Sequence, residues 1–134
     1  MTITKNAARQ ELVCAFVDID FAALAGLSGV DAPALDLPVN AVVVSGQVVT
    51  LTAFNSATSD VLDVGDAGSQ NRYLNDTNIH ATGNAALVPT GYQHTASDNK
   101  LSVRWVGVGA VPTAGKVRLQ VQYFVVGRAA FSQG

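Results

Sequence analysis

Charge is scarce in this sequence: charged residues make up 13% of the chain, where soluble domains average about 25%. Eight Lys and Arg stand against ten Asp and Glu, which gives a net charge of −2 without a basic cluster. Nucleic acid is therefore not an expected partner, because neutralising its phosphates requires clustered basic side chains. Hydrophobic residues make up 49% of the chain, so we expect other subunits to cover part of its surface.

Membrane-spanning and secretory features are lacking. The longest apolar runs, 39–44 and 121–126, have the length of a strand, whereas a spanning helix needs about 20 residues. The first eleven residues contain no apolar stretch typical of a signal peptide. We therefore expect no membrane partner and folding in a reducing cytoplasm. The single cysteine, Cys14, cannot form an intramolecular disulfide, and its apolar neighbours predict a buried thiol.

What the sequence does contain is the pattern of β-strands. Residues 38–65 form two runs rich in Val, Leu and Thr around a polar turn at 55–58, which predicts a hairpin with an exposed connection that tolerates insertion. Over 116–123, polar and apolar residues alternate strictly, so one face of this strand is buried and the other is wet. Many short strands separated by turn signals predict an all-β sandwich or barrel, and we favour the sandwich.

The other segments are interpreted in the same way. Residues 1–10 are polar and aperiodic, which predicts a flexible arm. Residues 11–20 are apolar in both registers, which predicts a strand buried on both faces. The remaining assignments are a helical turn at 21–25, a loop at 27–37, a long polar excursion at 72–84 and a strand at 100–108 with Leu101, Val103 and Trp105 inward. At this length, 1–134 is predicted to be a single domain.

Two groups of aspartates are candidate ligands or acid–base residues. Asp18 and Asp20 lie two apart on the first strand, so both carboxylates face one side. No third ligand is nearby, so we interpret the pair as the exposed end of a strand. Asp60, Asp63 and Asp66 hint at a calcium loop, but their spacing does not match the pattern of such loops. Turn-forming aspartates are the ordinary interpretation of that group.

The remaining candidates are histidines and aromatic residues. His80 and His94 have no Cys or His neighbour, and a metal site needs three or four converging ligands, so both are interpreted as loop or surface residues. A Ser-His-Asp triad is a spatial arrangement and stays open, although the sequence has no Gly-x-Ser-x-Gly elbow. Trp105 and Tyr123 lie on apolar registers and are predicted to pack in the core. We predict no enzyme, catalytic residue, metal or cofactor, and the binding residues stay unknown.

Three stretches resemble a group of small tailed-bacteriophage virion proteins, the capsid cement or decoration proteins. They are AFNSATSDVLDVGDAGSQNRYL at 53–74, PTGY at 89–92 and GKVRLQVQYFVVGRA at 115–129. The resemblance covers about 38–129 and implies a jelly-roll-like antiparallel β-sandwich core there. Residues 1–37 would supply an N-terminal arm, the first strand and a loop. The resemblance further implies a non-catalytic structural protein that binds the outside of an icosahedral head and clamps neighbouring capsomers.

This resemblance implies the major capsid protein as a partner and the outer capsid surface of the virion as the location, after synthesis in the bacterial host cytoplasm. It also implies a homo-oligomer, and we expect a dimer slightly ahead of a trimer, with 1–37 contributing to the contacts. One alternative is a carbohydrate-binding jelly-roll module of a phage fibre or tail, which requires solvent-accessible Trp105 and Tyr92. Another is a cupin-type metal enzyme, for which two distant histidines are too few.

Overall fold

The computed structural model describes residues 12–127, so the arm predicted at 1–10 lies outside the described residues. Within this range the chain forms eight strands and one helical turn. In chain order these are β1 (Val13–Asp20), α1 (Phe21–Leu24), β2 (Asp31–Asp36), β3 (Ala41–Thr52), β4 (Ser59–Asp66), β5 (Ser69–Asn78), β6 (Gly83–Ala86), β7 (Lys100–Val108) and β8 (Lys116–Val125). The element α1 corresponds to the helical turn predicted at 21–25. No helix in the described range is long and apolar enough to cross a membrane.

The strands form two four-stranded sheets in the orders β1-β8-β3-β6 and β2-β7-β4-β5. All pairings between neighbouring strands are antiparallel. The chain passes from one sheet to the other at each step except the β4–β5 hairpin. This order is that of a jelly roll, in which two Greek keys form two facing sheets. The predicted all-β sandwich is confirmed.

The hydrophobic core lies between the sheets and takes alternate residues from the long strands. In β8, Val117, Leu119 and Val121 are buried, whereas Arg118 and Gln120 lie on the opposite face and are half-buried. In β7 the three residues predicted to face inward are buried, namely Leu101, Val103 and Trp105. The alternation predicted for both strands is confirmed, and so is the core position of Tyr123.

Two segments interpreted as irregular form edge strands instead. Residues 27–37 contain β2, which pairs with β7 and shifts register after Pro33. Residues 72–84 overlap β5, which pairs with β4 and shifts register twice. The predictions of a loop at 27–37 and of a polar excursion at 72–84 are therefore wrong. Bulged edge strands lose the strict alternation of polar and apolar residues that identifies a strand in sequence.

The hairpin predicted across 55–58 is also wrong, because β3 and β4 belong to different sheets. Residues 53–58 cross from one sheet to the other. The crossing is tied to its surroundings, since Ser56 is buried and Asn55 Oδ1 accepts hydrogen bonds from the backbone N–H groups of Thr113 and Ala114 at 2.7 and 3.1 Å. Asn55, Ala57 and Thr58 are exposed, as predicted for this connection, whereas Ser56 is not. Its tolerance of insertion stays to be tested.

A short tag inserted between Asn55 and Ser56 is expected to lower the melting temperature and the soluble yield, because it separates hydrogen-bonded groups that are partly buried. A matched insertion between Ala81 and Thr82, which are both exposed, is expected to leave the protein close to wild type. Thermal unfolding of the two insertion variants measures the difference. Equal melting temperatures for the two would contradict the fixed crossing.

The first strand, β1, is buried on one face only. Ala15, Val17 and Ile19 pack against the core, whereas Cys14 and Phe16 lie on the opposite face and are exposed, Phe16 to 65%. The predictions of a strand buried on both faces and of a buried thiol are therefore wrong for the single chain. The second apolar row of this strand lies on the outside of the sheet.

Candidate functional site

Strand β4 carries two buried carboxylates on the same face as core residues. Asp60, Leu62, Val64 and Asp66 alternate along the strand, and each is fully buried. Asp63 is buried as well and accepts a hydrogen bond from the backbone N–H of Asp76 at 2.6 Å. The interpretation of this group as turn-forming aspartates is wrong for Asp60 and Asp63, which lie within β4, and holds for Asp66, whose carboxylate accepts from the backbone of the β4–β5 turn. The sandwich therefore holds one carboxylate at each end of the inward row of β4.

The Asp60 cluster consists of Ser56, Asp60, His80 and Trp105. Asp60 Oδ1 accepts from the Ser56 hydroxyl at 2.6 Å and from Trp105 Nε1 at 2.9 Å. Asp60 Oδ2 accepts from the Ser56 backbone N–H at 3.0 Å and from His80 Nδ1 at 2.7 Å. Burial acts to raise the pKa of Asp60, but the hydrogen bonds from Ser56, His80 and Trp105 outweigh burial and lower the pKa. The carboxylate is therefore ionised and saturated with donors.

Serine, histidine and aspartate meet in this cluster, but their order is not that of a nucleophilic triad. In a triad the histidine lies between the serine and the carboxylate and accepts the serine proton. Here Asp60 lies between the other two, and within residues 12–127 no hydrogen bond joins Ser56 to His80. Ser56 is also 3% exposed. The cluster holds the 53–58 crossing, β4, β7 and the residues after β5 together, and it places no histidine base on Ser56.

The Asp66 cluster, at the other end of β4, consists of Asp66, Arg72, Tyr73, Tyr92, His94 and Asp98. Asp66 accepts from Arg72 Nε at 2.6 Å and Nη2 at 3.1 Å, a two-pronged ion pair. It also accepts from the backbone N–H groups of Gly68 and Ser69, both at 3.0 Å. The hydrogen bond to Asp66 raises the pKa of Arg72. Asp66 thus closes the β4–β5 hairpin.

His94 is fully buried in the Asp66 cluster. It lies in a connection between strands, as predicted, but the prediction that it is a surface residue is wrong. His94 Nδ1 donates to the backbone carbonyl of Asp98 at 2.9 Å, because a carbonyl can only accept. In the neutral ring, Nε2 then accepts from the Tyr73 hydroxyl at 2.8 Å. Burial, helped by the nearby Asp66 charge, raises the pKa of Tyr73 to about 12. His80 is part-exposed and follows β5, as expected of a loop residue.

Tyr92 and Asp98 attach the β6–β7 connection to this cluster. The Tyr92 hydroxyl donates to Asp98 Oδ2, and the Arg72 guanidinium carbon lies 3.6 Å from the centre of the Tyr92 ring. Asp98 Oδ1 accepts from the backbone N–H and the hydroxyl of Thr95 at 3.0 and 2.8 Å. The hydrogen bond from Tyr92, with those from Thr95, overcomes burial and lowers the pKa of Asp98 to about 2. These contacts fix a long loop on the β4–β5 hairpin.

Replacing Asp98 with asparagine is expected to destabilise the protein at neutral pH and to flatten its stability profile in acid. A carboxyl whose folded pKa is lowered from 3.8 to about 2 stabilises the fold above about pH 4 and loses that contribution as the pH falls through about 2. Urea unfolding at pH 7, 4, 3 and 2 measures the slope. Asp36→Asn, at a carboxylate with an 80% exposed side chain, is the matched control. Parallel profiles for Asp98→Asn and wild type would contradict the assignment.

The first aspartate pair is structural. Asp18 forms an ion pair across the β1–β8 ladder, accepting from Arg118 Nε at 2.7 Å and Nη2 at 3.1 Å. Asp20 is the N-cap of α1 and accepts from the Ala22 backbone N–H at 3.3 Å. Among the described residues, no group of three His, Cys, Asp or Glu side chains is arranged to hold a metal ion.

The outer face of the first sheet carries a shallow depression of about 510 Å³, which we call the outer groove. Its lining comes from β1, β3 and β8 and comprises Cys14, Ala15, Phe16, Ser45, Gly46, Gln47, Arg118, Gln120, Val121 and Gln122. The bulge of β3 lies beside it, with a register shift between Val43 and Ser45. The Ser45 hydroxyl donates to Gln122 Oε1 at 2.6 Å. Amides, a hydroxyl and apolar atoms dominate this surface, a composition suited to contact with another protein.

The same fold occurs in chains from three phage capsids. A chain of the capsid asymmetric unit of cyanophage Pam1 matches with a TM-score of 0.73 and 20% identity, over 93% of this chain and 92% of that chain. A chain of the acidic stable capsid structure of Helicobacter pylori bacteriophage KHP30 matches with a TM-score of 0.65 and 16% identity, over 90% of both chains. A chain of the capsid of Ralstonia phage GP4 matches with a TM-score of 0.59 and 21% identity, over 96% and 92%. At these identities the likeness is one of fold.

No protein-family model matches the chain, and no curated protein matches it significantly.

Proposed function

We propose that the protein is a structural component of a phage virion that binds the outer surface of the capsid and stabilises it by bridging neighbouring capsomers. The observation that carries the proposal is the fold shared with a chain of the Pam1 capsid, which covers 93% of this chain and 92% of that one. The likeness leaves little of either chain outside the shared jelly roll. The role therefore belongs to the jelly roll itself, taken as one domain, and the protein is a binding protein without catalytic activity.

The character of the described surface supports a protein partner. The charged side chains on the two outer faces largely neutralise one another in pairs, Asp18 with Arg118, Asp31 with Arg104 and Asp36 with Lys100. Exposed pairs of this kind leave little net field for steering a charged ligand. We propose the major capsid protein as the partner and the outer groove as the face that contacts it.

The carbohydrate-binding alternative depends on accessible aromatic rings, and the described side chains do not favour it. Trp105 is 4% exposed, and its Nε1 is engaged by Asp60. The Tyr92 ring is half-buried and covered by the Arg72 guanidinium. Stacking on a sugar requires a free aromatic face, which Trp105 does not offer and which Arg72 restricts at Tyr92.

Capsid binding tests the proposal directly. Capsids of the encoding phage, prepared without this protein, are mixed with the purified full chain, and we expect saturable, stoichiometric binding and a higher capsid melting temperature. Gln120→Lys, which places a charge in the outer groove, is expected to weaken binding, whereas Val108→Lys, at a 48% exposed position of the other sheet, is not. Identical capsid melting curves with and without the protein would reject the function. Equal binding by the two variants would reject the groove alone.

A further inference from the structure

Three of the four sheet edges in the described range carry features that hinder the addition of another strand. The edge strand β2 contains Pro33, which has no backbone N–H to donate. The edge strand β6 is four residues long and begins with Gly83. The edge strand β5 has two register shifts and a left-handed residue, Asp76, with φ of 52°. Proline, shortness and bulges are the usual means of protecting an edge from pairing.

The fourth edge, β1, is open by comparison. Its eight residues pair with β8 in unbroken register from Val13 to Asp20. Its sequence, VCAFVDID, has no proline, glycine, lysine or arginine. Phe16 is 65% exposed, and Leu12 and Val13 are 56% and 37% exposed. An edge in unbroken register that is apolar over residues 12–17 is a template for strand pairing.

We infer that β1 pairs with β1 of a second copy of this chain, antiparallel and across a two-fold axis centred on Phe16. This register pairs the whole of Leu12–Asp20 with its counterpart and places the two Phe16 rings side by side. The acidic residues support it, because Asp18 and Asp20 then lie opposite Cys14 and Leu12 of the second copy. The two Asp18 side chains end about 13 Å apart along the strands. A parallel pairing would place Asp18 beside Asp18, which is unfavourable.

This pairing makes one continuous sheet of eight strands from two copies. The outer grooves of both copies then lie on the same face, on either side of the Phe16 pair. The inference extends the proposed function, and the role of the dimer rests on that function. A protein that bridges capsomers needs two equivalent contact surfaces, which the dimer supplies. The dimer itself can be measured without a capsid.

Light scattering and sedimentation on the full chain provide the first test. We expect a dimer that dissociates on dilution. Phe16→Lys places two ammonium groups opposite each other at the axis and is expected to weaken dimerisation about tenfold or more. As a monomer it should unfold within a few degrees of the wild-type monomer, because Phe16 is exposed and loses mainly its contact with the Arg118 guanidinium, 5.4 Å from the ring centre. Gln122→Lys, at an exposed position of the neighbouring strand β8, is the matched control and should still dimerise. A wild-type monomer, or a Phe16→Lys dimer of unchanged affinity, overturns the inference.

Cysteine cross-linking tests the register. In the register centred on Phe16, Asp18→Cys lies opposite the native Cys14 of the second copy, so mild oxidation should give a covalent dimer. The double variant Cys14→Ser/Asp18→Cys should not cross-link, whereas Cys14→Ser/Phe16→Cys should. Failure of both expected links, with the dimer intact, overturns the proposed pairing.

The capsid assay separates this inference from the proposed function. A monomeric wild type that binds and stabilises capsids would overturn the β1 dimer and leave the function in place. A β1 dimer that does not bind capsids would overturn the function and leave the dimer in place.

Discussion

Replacing Asp60 with alanine is expected to lower the free energy of unfolding by about 3–5 kcal/mol. The substitution leaves buried hydrogen-bond donors on several elements without an acceptor. The carboxylate is 0% exposed and accepts from Ser56, His80 and Trp105. After the substitution, Trp105 Nε1 and the Ser56 hydroxyl would each face the core without an acceptor. Such a loss is a large share of the stability of a small domain.

Urea unfolding followed by Trp105 fluorescence measures this effect. Asp60→Asn keeps one acceptor oxygen and the side-chain volume but loses the charge, so its loss should be smaller than that of Asp60→Ala. Asp36→Ala, at an 80% exposed side chain, should change stability by less than about 0.5 kcal/mol. If Asp60→Ala and Asp36→Ala unfold at the same urea concentration, the Asp60 cluster does not stabilise the fold as argued.

Replacing Leu119 with aspartate is expected to abolish cooperative folding at neutral pH. Leu119 is 0% exposed on β8, one of the two inner strands of the first sheet. A carboxylate there would have to be buried without a partner or protonated, and either costs much of the stability of a domain. Circular dichroism and the dispersion of amide NMR signals report whether the variant folds.

The neighbouring Arg118→Ala is the control for this experiment. Arg118 lies on the opposite face, with 38% of its side chain exposed, in a surface ion pair with Asp18. Exposed pairs contribute at most about 1 kcal/mol, so this variant should fold. A folded Leu119→Asp together with an unfolded Arg118→Ala would mean that the inward and outward registers of β8 are reversed.

The parts of the fold that sequence predicted are those in which local pattern and burial agree. Along β7 and β8, every second residue faces the core, so the alternation of side chains reports the structure directly. The burial of Trp105 and Tyr123 follows from the same registers. The sandwich class follows in turn from the number of such segments.

The Asp60 and Asp66 clusters were missed although β4 carries a signal for them. Asp60, Leu62, Val64 and Asp66 share one register, so a strand that buries the two apolar residues also turns the two carboxylates inward. The donors that make this burial favourable come from Trp105, His80 and Arg72, which lie 6 to 45 residues away. Their convergence is a property of the topology and leaves no local pattern.

The crossing at 53–58 shows the same limit. Two strand-like runs joined by a short polar segment have the local pattern of a hairpin. The decision that β3 pairs with β8 and β4 with β7 depends on strands far along the chain. The openness of β1 is likewise visible only when its pairing is compared with that of β2, β5 and β6.

The position of β8 has a consequence for the order of folding. This strand lies between β1 and β3, and the Asp18–Arg118 pair joins residues 100 positions apart in the chain. The first sheet therefore cannot close until β8 has inserted between two strands that come much earlier in the sequence. Pairings between such distant segments form slowly, so β1 and β3, both rich in apolar residues, lack their shared partner until late in folding. The rate at which β8 inserts sets how long the folding protein is open to aggregation.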